Sequence, residues 1–165
     1  MIADRDWGPS HWDVLRQAYR RAPHFDEVEQ RIAPLYLDRR FERLSDANRA
    51  FIEAVAKWLG IRTRISWSTD YETRGSRGER ILELCRAAGA GEYVSGPAAK
   101  TYLDEAMFEA AGIRVLWMDY SGYPEYAQPA PPFEHGVTIL DLLFATGDEA
   151  PAYMKTFDAG HGPFV

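Results

Sequence analysis

Between the apolar run Ile113–Met118 and the apolar-periodic run Val137–Phe144 lies Asp119–Gly136, DYSGYPEYAQPAPPFEHG. It holds four prolines (Pro124, Pro129, Pro131, Pro132) and three tyrosines (Tyr120, Tyr123, Tyr126). Proline removes a backbone donor and fixes φ, so this stretch is neither a helix nor a central strand. Long irregular segments inside compact domains are usually functional or disordered. The aromatic content argues against disorder. The expectation is an ordered loop at a strand end, packed on its own tyrosines.

The flanking sequence sets the fold class. Trp12, Leu15, Ala18 and Tyr19 share one helix face, with Ser10 as the expected cap and Ala22-Pro23 as the end. A second helix is expected over Asp26–Leu37, broken or kinked at Pro34. The third runs from a Ser45 cap, with Leu44 as a staple, to Gly60, and Phe51, Ile52, Val55, Trp58 and Leu59 face inward. Ile61–Thr69, IRTRISWST, alternates apolar and polar residues and reads as a strand. Then come a helix over Glu79–Ala88, a strand over Glu92–Ser95, a helix from Thr101 or Tyr102 to Ala111 and a strand over Ile113–Met118. Helices over Val137–Ala145 and Glu149–Phe157 follow, before a loose tail.

This order predicts an α/β chain: a small parallel sheet with helical crossovers, a Rossmann-like half, preceded by an N-terminal helical segment. A single domain is expected over 1–165, helical over 1–60, α/β over 61–157 and loose over 158–165. Ligands of parallel sheets bind beyond the carboxyl ends of the strands. The loops Ser68–Gly78, Ser95–Lys100 and Asp119–Gly136 are therefore expected at one rim. A three-stranded sheet leaves open edges, which a second copy, a partner protein or the first helices would cover.

Charge and composition narrow the partners. The net charge of −6 and pI near 5.2 disfavour nucleic acid and anionic membrane as partners. The lone Cys85 excludes an internal disulfide and a cysteine-based zinc site. No His/Asp/Glu spacing makes a metal site, and neither GxGxxG nor a Walker pattern occurs, so no cofactor is expected. No run approaches the ~18 apolar residues of a membrane span. MIADRDWG lacks the plan of a signal peptide, and a cytoplasmic protein is expected.

The candidate chemistry has a plain structural reading beside each functional one. Ser95-Gly96-Pro97 offers backbone N–H groups to an anion, or is a simple Gly-Pro turn. Lys100, Tyr102 and Asp104 open the next helix and face the rim, or serve packing and the helix dipole. Asp119 ends a strand as a base, or caps its own turn with Ser121. Tyr123, Tyr126 and Gln128 form an aromatic and amide wall, or pack the loop. Asp141 stands among apolar residues in VTILDLLF and needs a partner; His135, His11 or an arginine is expected. A His–Asp pair would supply general acid/base chemistry. His135 and His11 are otherwise ordinary residues near helix starts. Asn48 needs a partner on a largely apolar face.

YVSGPAAKTYLDEAMFEAAGIRVLWMDYSGYPEY and PFEHGVTILDLLFATG resemble the C-terminal half of the WbqC-like family of bacterial proteins. HWDVLRQAYRRAPHF, LSDANRAFIEAVAKWLGI and ERILELCRAAGAGEYVSGP extend the resemblance from His11 to about Pro151. Ser95-Gly96-Pro97, Tyr102, Asp104, Asn48, Arg80, Asp141 and His11-Trp12 stand on the family's pattern. Gly78 replaces an expected Ser or Thr, and Ala145 replaces an expected Asn. The resemblance starts after the family's N-terminal His-Gln-Pro-Asn segment, so a role resting on that motif is not expected of these residues.

The resemblance implies a role in bacterial surface-polysaccharide or small-molecule biosynthesis. The expected function is an enzyme for a small polar substrate, by acyl or aminoacyl transfer or a related condensation or cyclisation. Asp119 or Asp141 would be the base, His11 or His135 the proton shuttle, and Ser95–Lys100 the anion holder. The rival expectation is a non-catalytic binding or accessory protein that needs a partner to complete its sheet. An enzyme is expected to join an acid to a histidine; a binder can present tyrosines and backbone groups alone.

Overall fold

The computed structural model describes residues 1–4, 6–129 and 131–155. The expected tail 158–165 and the Phe157 end of the last expected helix lie outside the described residues. In chain order the elements are α1 (Trp7–Tyr19), α2 (Phe25–Leu37), α3 (Leu44–Trp58), a 3-10 turn at Ser68–Asp70 and α4 (Arg77–Ala87). Then follow β1 (Glu92–Ser95), a 3-10 turn at Pro97–Thr101, α5 (Glu105–Ala110), β2 (Arg114–Trp117), α6 (Ile139–Thr146) and a 3-10 stretch, Gly147–Tyr153. With its parallel β1–β2 sheet among helices, the chain is α/β, as expected.

The chain divides into two compact units. Among the described residues, one comprises Met1–Arg62 and the chain from Tyr123 to Lys155; the other comprises Thr63–Gly122. The core of the first is Trp12, Val28, Ile32, Ala33, Leu59, Leu140, Leu142, Leu143, Phe144 and Ala150. Helix α1 begins before the expected Ser10 cap, and Pro9 sits in its first turn. Proline is tolerated there because the first N–H groups of a helix have no internal acceptor. Gly8 is buried, and a Cβ there would overlap the carbonyl oxygen of Tyr36, so glycine lets α1 and α2 approach closely.

Helix α2 runs through Pro34 without the expected break. The missing donor costs one internal bond, while buried Ile32, Ala33 and Leu35 anchor the helix on both sides. Helix α3 starts one residue before Ser45, and Leu44 is 63% exposed, so it is not the expected staple. Gly60, at φ 72°, closes α3 as expected. Asp148 ties the unit's helices together, accepting from Trp58 Nε1 at 2.6 Å and Arg31 Nη1 at 2.9 Å. The indole bond first, and then the guanidinium bond, lower the Asp148 pKa.

In the second unit β1 and β2 pair in parallel, Glu92 opposite Arg114 through Ser95 opposite Trp117. Arg114 also pairs with Glu92 through their side chains. Leu82, Cys85, Leu103, Phe108 and Ile113 form the core, with Tyr93 stacked on Phe108 at 5.4 Å. Helix α4 opens with Glu79 Oε2 accepting from the Ser76 N–H and closes at Gly89, φ 67°.

The last expected helix, Glu149–Phe157, is in its described residues part of the 3-10 stretch Gly147–Tyr153, and two further elements differ. Ile61–Thr69 is not a strand; the sheet has two strands rather than three. Its alternation is real, since Ile65 and Trp67 are half-buried beside exposed neighbours, but a strand also needs a ladder partner. Instead, Asp70 turns the chain by accepting from the Trp67 N–H at 2.9 Å. The helix expected from Thr101 to Ala111 is split, because Pro97–Thr101 closes as a 3-10 turn before α5 starts after Asp104.

Candidate functional site

Helix α6 is apolar on nearly every side, so it is buried on nearly every side: Leu140, Leu142, Leu143, Phe144 and Thr146 all lie inside the first unit. Thr138 caps it by accepting from the Leu140 N–H. Asp141 is carried inward with these residues and is only 3% exposed. A carboxylate at that depth requires donors.

It has three. Tyr19 donates its hydroxyl to Oδ1 at 2.8 Å. Tyr126 donates to Oδ2 at 2.8 Å, and Gln128 Nε2 donates to the same oxygen at 2.9 Å. Each donor is held by its surroundings. The Tyr19 ring stacks on Phe144, with centroids 4.3 Å apart. Tyr126 meets Phe133 and Tyr153 edge-on. Gln128 also donates to the Glu134 carbonyl at 2.9 Å and accepts from the Glu134 N–H at 2.8 Å, which fixes its amide. The proline-rich segment, without helix or strand in its described residues, is thereby ordered against α6.

These bonds bear on proton chemistry. Burial, and then the bond to Asp141, push the Tyr126 pKa up to about 12. The same causes push Tyr19 higher still. Both phenols therefore stay protonated at neutral pH and act as fixed donors.

A cavity of about 530 Å³ opens beside this cluster. Tyr19, Gln128, Asp141 and Phe144 line it, together with Arg20 and Arg21 at the end of α1. Ala145, at one of the family departures, also lines it. The volume suits a sugar-sized or amino-acid-sized molecule. The wall combines apolar faces with an amide, a phenol, a carboxylate and two guanidinium-bearing residues.

The expected His–Asp pair is absent from the described residues. His135 is exposed and meets Phe133 edge-on at 4.7 Å. His11 is exposed on α1 and meets Trp7 at 5.1 Å. Neither reaches Asp141, whose side-chain donors are Tyr19, Tyr126 and Gln128. Tyr123 is half-buried with Lys155 Nζ 5.6 Å from its ring, and Asn48 is exposed on α3.

The second unit holds the other candidates. Ser95 is buried, and its carbonyl accepts from the Met118 N–H at 2.9 Å. Gly96 precedes the Pro97–Thr101 turn, where its carbonyl accepts from Ala99. Lys100 Nζ lies 5.4 Å from the Trp117 ring, and Tyr102 is 69% exposed. Asp104 and Arg80 are exposed. Asp119 accepts from the Ser121 N–H and hydroxyl, both at 2.9 Å, which is the turn-capping geometry. No group of three or more His, Cys, Asp and Glu placed to hold a metal occurs among the described residues.

Tyr19, Arg20 and Arg21 are not among the sequence candidates. Tyr19 reads as one more inward residue of α1, and its partner is 122 positions away. The available signal is the demand of Asp141 for donors, which tyrosine meets with an apolar body and a polar tip. That signal does not select among the nine tyrosines.

Comparison with known proteins places these features in a family. An uncharacterised protein of Mycobacterium tuberculosis, Rv1507c, is 45% identical over 155 residues, covering 94% of this chain and 67% of that protein. No solved structure matches the chain. The WbqC-like protein family matches residues 1–153, which include α1, Gln128 and α6, and the chain belongs to that family.

Proposed function

We propose that this chain binds a small polar molecule in the cavity beside Asp141, in a bacterial pathway that builds surface polysaccharide or a small molecule. The carrying observation is the fixed donor cluster on a buried carboxylate, opening on about 530 Å³ flanked by Arg20 and Arg21. The biosynthetic setting rests on the family resemblance. Tyrosines with raised pKa values, and no histidine within reach of Asp141 among the described residues, favour orientation of a ligand over proton transfer. The reading places the protein in the cytoplasm, with a second copy or a partner chain adding a strand to the two-stranded sheet.

A catalytic reading stands second, supported by Asp141 itself lining the cavity. Asp141 would be the base for acyl or aminoacyl transfer, or for a condensation or cyclisation.

A thermal-shift screen of nucleotide sugars, amino acids, acyl-CoA and aminoacyl compounds tests the binding reading. A compound bound by the folded state must raise its apparent stability. The expected result is a shift in wild type that shrinks in the Arg20→Gln/Arg21→Gln variant. Equal shifts in both proteins, or none at saturating concentrations, would overturn it. Turnover of a compound that shifts the protein, lost in Asp141→Asn, would favour the catalytic reading.

A further inference from the structure

We infer that the cavity ligand is an amine-bearing anion, with its ammonium seated on Asp141 Oδ1 and its phosphate or carboxylate toward Arg20 and Arg21. This deepens the binding proposal and rests on it.

An ionised carboxylate offers about four acceptor sites. Tyr126 and Gln128 occupy two on Oδ2, and Tyr19 occupies one on Oδ1. One site on Oδ1 remains, and Asp141 lines the cavity. All three donors are neutral side chains, and no salt bridge among the described residues includes Asp141. A buried anion without a cation lacks Coulombic compensation for its lost hydration. Three hydrogen bonds offset part of that cost, and an ammonium from the ligand supplies both the missing charge and the fourth donor.

The other end of the ligand follows from the cationic residues of the same lining. Arg20 and Arg21 line the same cavity and form no ion pair among the described residues. Guanidinium groups recognise phosphate and carboxylate through paired donors. Phe144, Pro23, Ala127 and Ala145 add apolar lining suited to the body of a sugar or a short carbon chain.

Isothermal titration calorimetry with matched probes tests the assignment. Glucosamine 6-phosphate carries both charges. Glucose 6-phosphate lacks the amine, and N-acetylglucosamine 6-phosphate carries it as a neutral amide. Glucosaminuronate replaces the phosphate with a carboxylate and identifies which anion the arginines take. The expected result is at least about tenfold tighter binding of one or both amines than of the two phosphates without an ammonium. Arg20→Gln/Arg21→Gln, at exposed positions, is expected to weaken every probe that binds wild type by a similar factor while the amine preference persists. Equal affinity with and without the ammonium would overturn the amine assignment and leave the binding proposal standing. Binding unchanged in the arginine variant would overturn the anion assignment. Binding of none of the probes would overturn the inference, while the wider ligand screen reports separately on the cavity.

Discussion

Asp141 concentrates the physical chemistry of this protein in one residue. A carboxylate at 3% exposure is stable only where donors meet it, and Tyr19, Tyr126 and Gln128 do so within 2.9 Å. Tyr126→Phe removes one donor from a buried charge and is expected to destabilise the fold by about 1.5–3 kcal/mol in urea unfolding. It also changes the response to base. The Tyr126 pKa is raised in the folded protein from 10.0 to about 12, so the unfolded chain loses this proton first as pH rises. The corresponding stability is fully present below pH 10.0 and is lost as pH climbs toward about 12. Urea midpoints measured across that window should fall less steeply in Tyr126→Phe than in wild type. Parallel decline in the two proteins would contradict the assignment. The sequence shows that Asp141 needs a partner, because an acid in an apolar helix cannot stand alone. It points to a histidine or an arginine, because nothing local encodes a tyrosine on a helix 122 residues away.

At the scale of elements, the readable parts are those whose signals are local. Helix α3 ends at Gly60 and α4 at Gly89, both at positive φ, as their sequence punctuation requires. The β1 and β2 strands stand where short apolar runs follow glycine-closed helices. Ile61–Thr69 has the composition of a strand but no ladder, and pairing is a property of distant chain. Pro34 shows the converse: a strong local breaker is overridden because residues on both sides of it are buried. Close approach of α1 and α2 at Gly8 gives a sharper test. Gly8→Ala places a methyl group on the Tyr36 carbonyl and is expected to cost about 1–3 kcal/mol by overpacking. The check is a lowered urea midpoint with an unchanged slope. An unaltered midpoint would show that the two helices separate freely.

For the whole molecule, the two units divide the candidate chemistry. The first holds Asp141, its donors and the cavity; the second holds Ser95 at the end of β1 and Lys100, Tyr102 and Asp119 beyond the strand ends. General experience with parallel sheets directs attention to the strand ends. The buried charge and the adjoining cavity direct it to α1, Gln128 and α6. The net charge of −6 also makes the arginine pair beside that cavity a local exception to the overall field. The decisive measurement is chemical-shift mapping of backbone amides, using any compound that raises the melting temperature. The account predicts that perturbations cluster at Tyr19, Arg20, Gln128, Asp141 and Ala145. Perturbations confined to Ser95–Lys100 and Asp119 would place the ligand at the strand ends and contradict it.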